Sequence, residues 1–267
     1  YSQEQKYCIE ETVDKLMQEN ISNASDPGLL LGKIQCGKTR TFVGVMGLAF
    51  DKGIDACIVL TKSDNGLVNQ TKVRMEYEFR DYLSNTNMNQ ACVIAVHGVE
   101  KGTSLTPAQI NNQKNIFIVH KNTTRLSYLS KLFSKTELRN KKVLIIDDEA
   151  DFVSRAFYQK QEEIEVGRIA LLIDNFTKIP EFCRYLQVTA TPYSLFLQPD
   201  HSVSVQNGTV ETFRPRFTTL VPIHENYIGG KHYFELSQNN ASMYSCLKHI
   251  VDNECMERLR SKNRHKT

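Results

Sequence analysis

The octet Gly32-Lys33-Ile34-Gln35-Cys36-Gly37-Lys38-Thr39 constrains this chain more than any other stretch. It fits G-x-x-x-x-G-K-[ST], lying between an apolar run, Leu29 to Leu31, and a helical pattern from Thr39 to Phe50. Glycines allow the dihedrals that turn successive backbone N–H groups toward one point, and a helix start adds positive potential there. Such a loop binds phosphate oxygens. Lys38 is expected to reach the β- and γ-phosphates of a nucleotide, and Thr39 to bind Mg²⁺. Gly32, Gln35, Cys36, Gly37 and Arg40 complete the expected nucleotide-binding set, with Cys36 supplying a backbone N–H rather than a reactive thiol.

The remaining pattern alternates strand and helix. A helix is predicted from Gln3 to Gln18, turn chemistry from Asn20 to Pro27, and a strand at Ala56 to Leu60. A helix follows from Gly66 to Leu83, then strands at Cys92 to Val96 and Ile116 to Val119, and a helix from Arg125 to Phe133. The strand Val143 to Ile146, a helix from Glu163 to Phe176 and the strand Tyr185 to Val188 continue the series. Apolar β-branched strands separated by helices predict an α/β fold with a mostly parallel central sheet covered on both faces. After Leu197 the pattern changes. Asn207-Gly208 between alternating residues predicts a β-hairpin within Val203 to Phe213, Tyr227-Ile-Gly-Gly a tight turn, and Ser242 to Leu259 a last helix. The hairpin region is expected to be a small appendage, not a further part of the main sheet.

A second chemical element is Lys141-Lys-Val-Leu-Ile-Ile-Asp147-Asp148-Glu149-Ala150-Asp151. It places carboxylates at the C-terminal end of an apolar strand, where open α/β sheets put their ligand site. One carboxylate there can hold Mg²⁺ and the next can orient and deprotonate an attacking water. Asp148 is assigned to the metal and Glu149 to the base, and Asp147 leaves the metal position open by one residue. A third element, Gln187-Val-Thr189-Ala190-Thr191-Pro192, ends another predicted strand. Hydroxyls of Thr189 and Thr191 could bond to Asp151 and couple the nucleotide site to whatever moves on hydrolysis.

With 267 residues, 40% of them hydrophobic and 24% charged, the chain can bury one large core and part of a second. A net charge of +3 permits a nucleic-acid partner without requiring one. The seven cysteines are scattered, without a C-x-x-C pair or a histidine at ligand spacing, and suggest neither a disulfide framework nor a zinc site. No apolar run approaches a membrane span, and YSQEQKYCIEE lacks the order of a signal peptide. A cytoplasmic protein without membrane contact is expected. The start at Tyr1 and the charged end ERLRSKNRHKT suggest a piece of something longer.

GKIQCGKT, DEAD and TAT, in this order, resemble motifs I, II and III of superfamily 2 helicases. GLLLGKIQCGKTRTFVGVMGLAFDKGIDACIVLTK, NQTKVR, IIDDEADFVS, LQVTATPYSLFLQP and NYIGGKHYF further resemble DEAD-like ATPases of prokaryotic restriction and defence systems, including those carrying the Z-one endonuclease-associated domain. The resemblance covers most of residues 1 to 235. It implies a RecA-like P-loop ATPase domain over residues 1–198, the hairpin-bearing connection over 199–240, and a helix opening a truncated second domain over 241–267.

It also implies ATP and Mg²⁺ as cofactors. Gln3 or Gln5 would stand where the adenine-reading glutamine lies, and Thr61 and Lys62 at motif Ia, which touches the nucleic-acid backbone. Helicases of this kind hydrolyse ATP between two RecA-like domains, and no second set of motifs follows Thr191, so weak hydrolysis by this segment is expected. The implied partners are nucleic acid, DNA before RNA, a second RecA-like domain, and a nuclease domain or subunit. Lys62, Lys121 and Arg125, after the strands ending at Leu60 and Val119, are the candidate phosphate contacts. A nucleotide-switched regulator of protein partners would carry the same ATPase elements. A small-molecule kinase is disfavoured by TAT after DEAD.

Overall fold

A computed structural model describes residues 1–18, 24, 26–62, 65–83, 92–152, 157–160, 163–198, 203–205, 208–239, 241–247 and 255–256. They divide into two compact units, Tyr1–Ile223 and His224–Thr267. In the first unit the strands are β1 Gly28–Leu31, β2 Ala56–Thr61, β3 Ile94–Gly98, β4 Lys114–His120, β5 Lys142–Asp148, β6 Phe157–Lys160, β7 Glu163–Val166, β8 Phe182–Thr189, β9 Val203–Val205, β10 Gly208–Val210 and β11 Phe217–Leu220. The helices are α1 Gln3–Leu16, α2 Lys38–Asp51, α3 Asn65–Glu78, α4 Pro107–Asn111, α5 Thr123–Lys135, α6 Arg168–Thr177 and α7 Tyr193–Phe196.

Seven strands form one parallel sheet in the order β11-β1-β8-β5-β2-β4-β3. The α/β class with a parallel central sheet expected from the sequence is therefore observed. The central strands ACIVLT, KNIFIVH and FCRYLQVT are buried almost end to end because helices cover both faces, which explains their continuous apolar runs. On one side Leu126, Leu129, Leu132 and Phe133 form the buried stripe of α5. Phe133 stands edge-on between Phe117 of β4 and Phe176 of α6, at 5.5 and 5.1 Å. Burying each such ring contributes about 1.5–3 kcal/mol.

Three side chains finish α1. Ser2 and Gln5 form a capping box at its start, and the Arg184 guanidinium of β8 donates through Nε to the Leu16 carbonyl at its end, at 2.8 Å. The register then brings the sequence motifs to one rim. Leu31 pairs with Thr189, Asp148 with Val188, and Thr61 with His120, so the exits of β1, β8, β5, β2 and β4 share one edge of the sheet.

Three expectations are corrected. Phe217–Leu220 is not part of an appendage but the parallel edge strand of the main sheet. Arg216 N–H donates to Pro27 O at 2.7 Å and Val221 N–H to Leu31 O at 2.8 Å, extending the pairing at both ends. A four-residue strand carries too little periodicity to be seen alone; what admits it is Gly28, where a Cβ would collide with the Phe217 ring. Glu163–Val166 does not begin a helix: it pairs antiparallel with Phe157–Lys160, and α6 starts only after Gly167. The alternation Glu-Ile-Glu-Val is a strand period. Within the predicted last helix, Met243–Leu247 is a short 3₁₀ segment and Cys255 and Met256 are α-helical, and most of the remainder lies outside the described residues.

The hairpin itself forms, with Gly208 paired to Val205; Asn207 and most of the Asn20–Pro27 turn lie outside the described residues. In the second unit, Tyr227 N–H donates to His224 O at 2.9 Å. Among the described residues no helix is long and apolar enough to cross a membrane.

Candidate nucleotide site

The loop after β1 is held by its own glycines. Gly37 has φ +97° and begins α2 without any side-chain cap, and no acidic residue stands in the first turn of that helix. The helix therefore offers its first N–H groups and its positive end to an external anion. A Cβ at Gly32 would lie 2.6 Å from Cys36 Sγ and 2.9 Å from Lys38 Cγ, so only glycine lets the loop close this tightly. Gln35 occupies the left-handed region at φ +58°. Lys38 Nζ donates to the carbonyls of Lys33 at 2.9 Å and Gly32 at 3.3 Å, which curls its ammonium over the loop.

The acidic turn follows β5. Strand alternation sends Asp147 inward and leaves Asp148 and Glu149 at the rim. Asp147 is 1% exposed, 2.8 Å from the Lys121 ammonium, and accepts a 2.7 Å hydrogen bond from Tyr185 Oη. Burial pushes the Asp148 carboxyl above its ordinary range, with the Lys121 charge opposing the shift and the Glu149 and Asp147 charges adding to it. A divalent cation would reverse that shift by stabilising the charged form. Burial also pushes the Tyr185 phenol well up, and Asp147 adds to the effect, so Tyr185 is the donor in that pair. Glu149 is left-handed, at φ +55°, a sparsely populated state for a residue with a side chain.

The exit of β8 ties these parts together. Gly32 N–H donates to Thr189 O at 3.2 Å. Thr189 Oγ1 and Thr191 Oγ1 donate to the two carboxylate oxygens of Asp151 at 2.9 and 2.7 Å, and Thr191 N–H donates to Thr189 Oγ1 at 3.0 Å.

One cleft of about 610 Å³ is lined by Ile34, Gln35, Lys38, Thr39, Lys62, Asp148, Glu149, Asp151, Thr189, Ala190 and Thr191. A cation from the loop, a hydroxyl at a helix start and three carboxylates face one space. The uncapped helix, the Gly32 cradle and the Lys38 ammonium fit a polyphosphate. Among the described residues no group of three His, Cys, Asp or Glu forms a metal cage. A magnesium ion accompanying a nucleotide needs none, because phosphate oxygens and waters supply most of its ligands.

Residues 1–194 match the family model described as "Type III restriction enzyme, res subunit". The chain belongs to this family. The res-subunit family is one of helicase-like superfamily 2 ATPases, which carries the coarser part of the expected resemblance. No curated protein matches the chain. Among solved structures it is similar to the Sulfolobus solfataricus SWI2/SNF2 ATPase core in complex with dsDNA, at 13% identity and TM-score 0.41, covering 71% of this chain and 31% of that one. It is also similar to the Aeropyrum pernix ORC2 protein: to its ADPNP-ADP complexes at 13% identity and TM-score 0.38, covering 82% and 47%, and to its ADP form at 12% and 0.38, covering 86% and 55%. The chain thus spans between 31% and 55% of those structures' own lengths.

Not every residue assigned from the res-family sequence lies where expected. Lys121 is no phosphate contact: it is fully buried beneath the acidic turn, donating to the carbonyls of Asp148 at 2.6 Å and Glu149 at 2.9 Å. A strand-end lysine reads as exposed in sequence, and only the inward carboxylate of Asp147 makes its burial stable. Lys62 lines the cleft, 3.8 Å from Glu149 Oε2. Arg125 is half-buried, donating to Val99 O at 3.1 Å and lying 3.6 Å from Glu100.

Arg40 is outside the cleft lining, its guanidinium 5.0 Å from the centre of the Tyr1 ring. Cys36 is buried and its N–H donates to Lys33 O at 3.3 Å. Gln5 accepts from Ser2 N–H in the capping box, while Gln3 lines a separate groove of about 780 Å³ with Tyr7, Cys8 and Leu220. Sequence reasoning missed the inward set of Lys121, Asp147 and Tyr185. The doubled acid was the available signal, since consecutive strand residues face opposite ways.

Proposed function

We propose that this chain is the ATP-binding motor half of a DEAD-like nucleic-acid translocase or helicase serving a restriction or defence enzyme, of the kind associated with the Z-one endonuclease domain. The observation that carries the reading is the single cleft shared by Lys38, Thr39, Asp148, Glu149, Asp151 and Thr191. Lys38 would exchange its loop carbonyls for the β- and γ-phosphate oxygens of ATP. Thr39 and Asp148 would hold the magnesium ion, which when bound neutralises charge on the transferring phosphoryl group. Glu149 would orient the attacking water and take its proton. The Asp151 carboxylate, held by Thr189 and Thr191, would relay the state of the cleft to the β8 exit. DNA is the proposed track, with Lys62 and Arg125 at the same sheet rim. A second RecA-like domain would supply the arginines, worth about 10³–10⁵ in rate, so this chain alone should hydrolyse ATP slowly.

The test compares ATP binding and single-turnover hydrolysis, with and without DNA, in wild type, Lys38→Ala and Glu149→Gln. Lys38→Ala should weaken nucleotide binding by about 10–100-fold, the worth of a charge-assisted contact. Glu149→Gln should bind normally and hydrolyse about 10²–10⁴-fold more slowly. Unchanged nucleotide binding in Lys38→Ala would refute the site. Stimulation by a protein and never by DNA would replace the motor with a regulator.

A further inference from the structure

Lys121 is the residue for which neither the family nor the cleft supplies a role. Its side chain is 0% exposed; its ammonium donates to Asp148 O at 2.6 Å and Glu149 O at 2.9 Å and forms an ion pair with the Asp147 carboxylate at 2.8 Å. Tyr185 Oη holds the other oxygen of that carboxylate, so Asp147 cannot swing to the rim without stranding both partners. The lysine is also fixed from behind. Its own N–H donates to Thr61 O at 2.9 Å, and Asn122, the next residue, caps α5 through the Arg125 N–H at 2.8 Å. It thus stands on three rigid elements, β2, β4 and α5.

We infer that Lys121 is a positioning residue: it holds the carbonyls of the acidic turn so that Glu149 keeps its left-handed backbone and presents its carboxylate to the cleft. A non-glycine residue at φ +55° persists only where its surroundings over-determine it. Here the two carbonyls on either side of Glu149 are gathered by one cation, an arrangement that an extended residue, whose successive carbonyls point opposite ways, would pull apart. The buried charge and its strained neighbour are therefore one device. The kinetic consequence rests on the ATPase reading; the conformational one does not. Freed of the lysine, the turn should relax and displace the Glu149 carboxylate by an ångström or more, enough to slow a positioned proton transfer about 100-fold.

The test uses Lys121→Met and the pair Lys121→Met/Asp147→Asn, which removes both charges and so avoids leaving a lone buried carboxylate. Crystal structures of the variants read the Glu149 backbone; nucleotide titration and single-turnover hydrolysis read the cleft. The expected result is loss of the positive φ at Glu149, hydrolysis slower by about 100-fold, and nucleotide affinity within about threefold of wild type, because Gly32 and Lys38 stand on the loop after β1 and not on the elements that hold Lys121. A folded double variant that keeps the left-handed Glu149 overturns the inference, as does one that loses it yet hydrolyses at the wild-type rate. A double variant unable to fold also counts against it, since the lysine would then serve the core. Should wild type prove inert toward ATP, the ATPase reading fails, and the backbone of Glu149 still decides the role of Lys121.

Discussion

Gly32 donates its amide to the carbonyl of Thr189, binding the first residue of the phosphate loop to the strand whose exit leads to Thr191. Through that bond and the Asp151 carboxylate, the loop after β1, the acidic turn after β5 and the exit of β8 form one hydrogen-bonded rim. A shift in any one of them is felt by the other two.

Gly32→Ala tests how closely the loop is packed. The new methyl group would press on Cys36 Sγ, the Lys38 stem and Val221 at once. Overpacking of this kind costs about 1–3 kcal/mol. Thermal denaturation should show that loss, and nucleotide titration should show binding reduced beyond what the lost stability explains. A variant with wild-type affinity would mean the loop has room that the geometry denies.

Asp151→Ala removes the acceptor of two threonine hydroxyls. Leaving the buried Thr189 hydroxyl unpaired costs about 1–2 kcal/mol, whereas the exposed Thr191 hydroxyl can turn to water. If the rim couples hydrolysis to movement, ATP binding should survive and the response of hydrolysis to DNA should vanish. Retained DNA stimulation in this variant would remove Asp151, Thr189 and Thr191 from any coupling role.

Stability should depend on pH through His97. Burial lowers its pKa below 6.5, the Lys72 charge adds to the shift, and the hydrogen bond to Asn115 opposes it. Asn115 Nδ2 donates to the carbonyls of Gln109 and Gln113, so its Oδ1 faces His97 at 2.9 Å and the neutral ring carries its proton on Nε2. The folded state binds this proton less tightly than the unfolded one. Unfolding free energy is therefore highest above the unfolded pKa and falls as pH drops from about 6.5 toward the lowered folded value. Melting curves between pH 7.5 and 5 should show this slope, and His97→Gln should flatten it; an unchanged slope would place the effect elsewhere.

If nucleic acid is the track, affinity should fall as salt rises, since Lys62 and Arg125 would then contact its phosphates from the rim. Lys62→Ala should reduce the slope of log affinity against log salt by about one contact. The slope should be indifferent to Lys121→Met in a folded protein, because that ammonium faces inward. Equal slopes in wild type and Lys62→Ala would remove Lys62 from the track.

The sequence by itself determined the class of fold and the location of the chemistry. Runs such as Val-Leu-Ile-Ile before Asp147 and Leu-Leu-Leu before Gly32 are apolar throughout because parallel strands are covered on both faces, and local order alone sets which loops follow their ends. Residue type then identifies the phosphate loop, since few sequences other than Gly-x-x-x-x-Gly-Lys-Thr satisfy its backbone. Three things were decided only in three dimensions. The edge strand Phe217–Leu220 joins the sheet because it lies beside Gly28, a contact made across 189 residues of chain separation between the two paired positions, 28 and 217. Asp147 and Asp148 take opposite faces because strand alternation separates neighbours, which residue type does not record. Lys121 is buried because a carboxylate, two carbonyls and a tyrosine-held partner converge from separate strands; a charge is stable inside a protein only where such partners meet, and their meeting is a property of the folded chain.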